Sequence, residues 1–141
     1  MNFPTAIRSC LQKYVTFSGR ASRPEYWWFV LFLILAQLVL NILDTAIFGT
    51  GEVTRGPGSI SWVSHGGPLS AIFLLATLLP GLAVAVRRMH DLGKSGWWLL
   101  IAFVPFVGGL VLLYFLVQPS QPMTNQFGPM PAGTVPPLPT A

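Results

Sequence analysis

Polar and charged side chains punctuate three apolar runs in this chain, residues 26–43, 69–86 and 97–117, and none of the three contains a charged residue. A helix rises ~1.5 Å per residue, so runs of this length cross the ~30 Å hydrocarbon layer of a bilayer. Inside that layer the backbone must satisfy its own hydrogen bonds, which favours helices. The pattern predicts an all-α membrane protein with three transmembrane helices, over about residues 26–46, 69–88 and 97–117. Ahead of the first run, Phe3, Ile7, Cys10, Leu11, Tyr14 and Val15 recur at helical spacing, opposite a face of Arg8, Ser9, Gln12 and Lys13. This predicts an amphipathic helix over residues 3–16, lying in the membrane interface or packed on the ends of the other helices.

Between the runs, the boundaries are marked by recognisable signals. Ser22-Arg23-Pro24-Glu25 reads as a helix start, with Ser22 as cap, Pro24 in the first turn and Glu25 closing a capping box. Residues 49–68, rich in Gly, Ser and Thr, read as coil with one hairpin-like turn near Ile60-Ser61-Trp62-Val63. Seven of the thirteen prolines follow Gln118, so the tail, and residues 132–141 above all, is expected to be disordered. Residues 1–131 are expected to form one polytopic domain. With 25 residues before the first run and no small-x-small cleavage pattern after it, that run is expected to stay as an anchor.

Charge sets an orientation. Seven of the eight basic residues, Arg8, Lys13, Arg20, Arg23, Arg87, Arg88 and Lys94, precede the first run or join the second to the third. Only Arg55 lies in the opposite loop, and the tail has no charged side chain. The positive-inside rule then puts the N-terminus in the cytoplasm and, after three crossings, the C-terminus in the periplasm. Trp27, Trp28, Trp62, Trp97 and Trp98 stand at the run boundaries, where indole rings favour the headgroup level. A charged fraction of only 9% with bases beside apolar runs points to anionic lipid headgroups as partner, and away from nucleic acid despite the net charge of +4. Cys10 is the only cysteine and reads as a small apolar residue on a helix face. No Cys/His spacing resembles a metal site, and no cofactor is implied.

Candidate chemistry sits in two places. Gln37, Asn41 and Asp44 share one stripe of the first predicted span, at i, i+4 and i+7. They read as polar contacts between helices, or alternatively as the lining of a route for an ion or solute. Pro105 with Gly108 and Gly109 admits a second topology, in which the third run turns back on itself and the tail returns to the cytoplasm. An unbroken run of 21 apolar residues favours the simple crossing. The richer cluster is Arg87-Arg88-Met89-His90-Asp91-Leu92-Gly93-Lys94-Ser95-Gly96. There the arginines suit a helix C-terminus, Gly93 a left-handed stop and Ser95 a cap, while Asp91 can pair with Arg20 or Arg23. His90 and Asp91 could also be a proton-transfer pair, although helix neighbours point in different directions.

Phe17-Ser18-Gly19-Arg20-Ala21-Ser22-Arg23-Pro24-Glu25-Tyr26-Trp27, then Arg87-Arg88-Met89-His90-Asp91 through Ser95-Gly96-Trp97-Trp98, then Asn125-Gln126-Phe127-Gly128-Pro129 resemble the three signatures of the bacterial family called domain of unknown function 805. Met89 stands where Leu is usual. The resemblance implies a small bacterial inner-membrane protein and carries no activity with it. The combined reading is a non-enzymatic inner-membrane scaffold or accessory module. Its cytoplasmic latch of Arg20, Arg23, Glu25, Arg87, Arg88, His90, Asp91 and Lys94 would bind anionic lipid or a membrane-protein partner, or a second copy of the chain. The alternative is a subunit of an oligomeric transporter or channel.

Overall fold

The computed structural model describes residues 2–129 and Pro131; the tail expected to be disordered, 132–141, lies outside the described residues. Helix α1, Phe3–Gln12, starts where the Asn2 side chain accepts the Thr5 N–H at 3.1 Å, and it stops at Lys13. It is shorter than the predicted 3–16. Only Ala6 and Cys10 of α1 are buried, and Phe3 meets Trp28 edge to face at 5.7 Å. Leu11 is 45% exposed. The helix therefore packs on its neighbours with its small residues and keeps an outer apolar edge free.

Helices α2, Arg23–Phe48, and α3, Pro68–Asp91, are long and apolar enough to cross a membrane. Only 6% and 22% of their most apolar windows are buried, whereas a helix in the core of a soluble protein would have its apolar side chains covered. Ile34, Ile72 and Leu75 point outward, so hydrocarbon is the solvent that fits these surfaces, and the chain is a membrane protein. Helix α3 runs unbroken through Pro80.

The described residues fall into two compact units, one within Leu31–Leu78 and one within Met1–Val30 and Leu79–Ala141. In the first, the start of α3 is capped from α2. The buried Asp44 carboxylate accepts the Leu69 N–H at 3.1 Å, the Ser70 N–H at 2.9 Å and the Ser70 hydroxyl at 2.8 Å. A Cβ on Gly67 would stand 2.5 Å from the Asp44 Cγ, so only glycine permits this approach. The linker is more ordered than the expected coil. Strands β1, Gly51–Gly56, and β2, Ser59–Ser64, pair antiparallel from Gly51 with Ser64 to Gly56 with Ser59. Pro57 and Gly58, the latter at φ +77°, make the turn, a combination suited to type II geometry. Val53, Ile60, Trp62 and Val63 supply the branched and aromatic side chains that favour strands.

In the second unit the third apolar run departs from the predicted transmembrane helix. A 3-10 helix, Gly96–Phe103, is followed by a tight reversal and helix α4, Gly108–Leu116. Pro105 has no N–H and biases Val104 to the extended conformation it adopts, φ −73° and ψ 118°. Phe106 sits at φ +70°, under a Val107 N–H to Pro105 carbonyl bond of 2.9 Å, with its ring almost fully exposed at the tip. A Cβ on Gly108 would overlap the Ile101 carbonyl, which shows how closely the two limbs approach. The limbs are about 16 Å and 14 Å long by their helical rises, roughly half of the hydrocarbon layer. Where three transmembrane helices were expected, the described residues hold two helices long and apolar enough to cross and one apolar hairpin, and the chain after α4 returns to the loop that carries Arg20. Hydropathy alone misses the reversal, because both limbs are as apolar as a crossing.

Replacing Gly108 with alanine is expected to destabilise the protein by about 1–3 kcal/mol through steric overlap. Replacing Gly109, whose added Cβ would meet nothing within 4 Å, is expected to be neutral or to stabilise by up to ~1 kcal/mol through helix propensity. Thermal unfolding of the two variants in detergent micelles checks the contrast.

Candidate functional site

The last turn of α3 and the loop before α2 bring the charges of the first two signatures together. The Ala21 N–H donates to the Arg87 carbonyl at 2.9 Å, which holds the loop on α3. Gly93, at φ +73°, ends the helix, and Ser95 caps the 3-10 helix by accepting the Trp97 N–H at 3.2 Å. Within this frame Arg20, Arg88 and Asp91 are buried. The Arg20 Nε donates to the Asp91 carboxylate at 3.0 Å. Its two terminal nitrogens donate to the carbonyls of Met123 at 2.7 Å, Gln121 at 2.8 Å, and Gly128 and Asp91 at 3.3 Å. Arg88 pairs with the other Asp91 oxygen and donates to the carbonyls of Leu116, Gln118 and Ala21. Ser120 also donates to that Asp91 oxygen.

Burying an ion costs several kcal/mol, which a single partner rarely offsets. Here each guanidinium finds acceptors for its five N–H groups, mostly main-chain carbonyls of residues 116–128. The arginines therefore hold the returning segment as well as Asp91. The third signature docks onto the first two in the same way. The His90 Nδ1 lies 3.0 Å from the Gly19 carbonyl, and the imidazole stacks on Phe127 at 4.0 Å with planes 2° apart. The Asn125 amide donates to the His90 carbonyl at 2.9 Å, and its oxygen accepts the Phe127 N–H at 2.9 Å.

A second buried pair lies under α1. Glu25 accepts from Arg87 at 2.9 Å and from the Ser9 hydroxyl at 2.9 Å, with the Cys10 thiol at 3.8 Å. The expected capping box is half formed. Ser22 accepts the Glu25 N–H at 3.3 Å, while the Glu25 carboxylate turns to Arg87. Burial, reinforced by the Glu25 charge, pushes the Cys10 thiol up to about 12 from its ordinary 9.0.

Of the eight candidate residues, Arg20, Arg88 and Asp91 form one network, Glu25 and Arg87 another, and His90 stands beside them. Arg23 and Lys94 are peripheral. Arg23 is exposed and donates to the Val117 carbonyl at 3.1 Å, and the Lys94 ammonium lies over the Phe115 ring at 4.9 Å. His90 and Asp91 do not converge, since one faces Gly19 and the other is held by Arg20, Arg88 and Ser120. The stripe of Gln37, Asn41 and Asp44 belongs to the other unit. There Asn41 donates to the Gln37 carbonyl at 2.9 Å and Asp44 caps α3. Ser9, Ser120 and the carbonyl acceptors were not singled out by sequence reasoning, because nothing in their composition marks them. Among the described residues no three His, Cys, Asp or Glu side chains cluster to hold a metal.

Cys10 is expected to resist a maleimide at about pH 8 in the folded protein and to react after unfolding, since a thiolate is the nucleophile. The stability it contributes as a thiol is complete below pH 9.0 and is lost as pH rises towards about 12. Labelling followed by mass measurement, with and without denaturant, checks this.

Residues 14–129 match the family described as "Protein of unknown function (DUF805)", a region that begins at Tyr14 and closes on Pro129, the end of the third signature. The chain is 38% identical to "Inner membrane protein YhaH" of Escherichia coli (strain K12) over 123 residues, 86% of this chain and 91% of the relative. It is 42% identical to "Inner membrane protein YhaI" of the same strain over 120 residues, 85% of this chain and 89% of the relative. "Uncharacterized protein YiiR" is 30% identical over 103 residues, 69% of this chain and 53% of that protein. No solved structure matches the chain. With all three signatures present and docked on one another, the chain belongs to the DUF805 family.

Proposed function

We propose that this chain is a non-enzymatic, multi-pass inner-membrane protein that serves as a scaffold or accessory module. The reading rests chiefly on one observation: the charges of the Arg20, Arg88 and Asp91 network are spent inside the protein, on one another and on the returning segment. An acid, base or nucleophile needs an approachable atom, and these carboxylate oxygens are occupied. Two relatives are named inner membrane proteins, and the exposed apolar helices suit that setting. In this reading the latch locks the C-terminal signature, and contact with anionic headgroups falls to the exposed Arg8, Lys13 and Arg23, each worth about 1 kcal/mol near an anionic surface.

The basic residues assign the N-terminus to the cytoplasm. Because the third signature docks on Gly19, Arg20 and His90, the proposal assigns the segment through Gly128 to the cytoplasm too, and revises the periplasmic C-terminus inferred from three crossings.

A reporter fused after Pro129 that works only in the cytoplasm is expected to be active, and one that works only in the periplasm silent; the reverse would refute the topology. Asp91→Ala leaves two buried guanidinium groups short of their carboxylate, and a loss of about 3–5 kcal/mol is expected. It should also expose residues 116–128 to proteolysis in detergent. The charge-exchanged pair R88D with D91R is expected not to recover, because a new arginine at 91 would face Arg20. Replacing Arg8, Lys13 and Arg23 together with glutamine is expected to reduce co-purified phosphatidylglycerol while leaving the fold intact. Unchanged retention would remove the headgroup role.

A further inference from the structure

Two grooves in the unit that holds the latch meet at Phe17 and His90. One, of about 460 Å³, runs along Leu82 and Val86 of α3 and Trp97 and Leu100 of the 3-10 helix, and its walls are almost wholly apolar. The other, of about 470 Å³, is bordered by Ser18, Gly19, Gln126 and Phe127 and is more polar. Both volumes fall in the ~300–1,000 Å³ range of small-molecule sites. His90 is the polar group they share. A carbonyl only accepts, so the 3.0 Å contact with Gly19 places the hydrogen on Nδ1 and leaves Nε2 of the neutral ring as an acceptor. Among the described residues Nε2 has no partner, although the ring is partly buried by the Phe127 stack.

We infer that the paired grooves bind one glycerophospholipid with a hydrogen-bond-donating, net-neutral headgroup of the phosphatidylethanolamine type. The acyl chain lies in the apolar groove and the headgroup beside His90. The apolar groove flanks the end of a membrane-spanning helix, where acyl chains are the surrounding medium. Among the described residues neither groove carries a formally charged side chain in its lining, which matches a net-neutral headgroup. The open acceptor on His90 matches an ammonium donor, which phosphatidylcholine lacks. The site is separate from Arg8, Lys13 and Arg23 and does not depend on the anionic contact proposed above.

The test is native mass spectrometry of the full chain extracted from vesicles of equal phosphatidylethanolamine and phosphatidylcholine with matched acyl chains, without anionic lipid. One retained lipid is expected, with phosphatidylethanolamine favoured about fivefold, the selectivity that one net hydrogen bond supplies. His90→Phe keeps an aromatic ring against Phe127 and is expected to retain lipid while losing the selectivity. Leu100→Trp, or Leu82→Trp should the first fail to fold, fills the apolar groove and is expected to lose both lipids. Equal retention of the two lipids by the parent chain, or unchanged retention in both tryptophan variants, would overturn the inference. So would lipid that binds only after deletion of residues 132–141, since the groove would then belong to the tail of the chain.

Discussion

Two buried guanidinium groups govern one unit of this protein. Arg20 and Arg88 lie where water does not reach them, and each carries five N–H groups that must find acceptors. Asp91 offers two oxygens and a carbonyl, too few for both arginines. The remaining acceptors come from the main chain of residues 116–128, which has to fold back to deliver them. The hairpin of the third apolar run and the docking of the tail therefore have one common cause. A straight crossing would carry those carbonyls away and leave buried cations with unmet donors, at a cost of several kcal/mol each.

The balance differs under α1, where the buried Arg87 gives one terminal nitrogen to Glu25 and keeps Nε and the other terminal nitrogen without a partner among the described residues. Glu25 stands in the first turn of α2, where a carboxylate is favoured, yet its side chain leaves the capping position to meet Arg87 and Ser9. That choice pins the small face of α1, Ala6 and Cys10, against the helices. Leu11 at the outer edge of α1, and Tyr14 and Val15 just after the helix, stay exposed, so the packing of Ala6 and Cys10 leaves an apolar edge of the kind that suits a membrane interface.

Asp44 does corresponding work in the other unit. Sequence spacing set it in a stripe with Gln37 and Asn41, read as polar contacts between helices or alternatively as a route for solutes. The structure gives its oxygens to Leu69 and Ser70 of α3, and it needs Gly67 for the fit. A carboxylate near the end of an apolar helix is accounted for by the free N–H groups that open the next one.

By itself the sequence determined the class of protein, the two helices of crossing length among the three it suggested, and the starts and stops at Ser22, Gly93 and Ser95. All of these follow from local terms: transfer free energy summed along a run, backbone preferences of Gly and Pro, and charge counted by segment. Only the tertiary structure decided which charges meet: Arg20 and not Arg23 with Asp91, Arg87 with Glu25, and Asn125 and Phe127 with His90. It also decided that residues 97–117 reverse, and that residues 51–64 pair as a hairpin. Hydropathy is the same for a crossing and for a folded hairpin of equal composition. The difference lies in one positive φ at Phe106, one close approach at Gly108, and the unmet donors of two arginines far away in the chain.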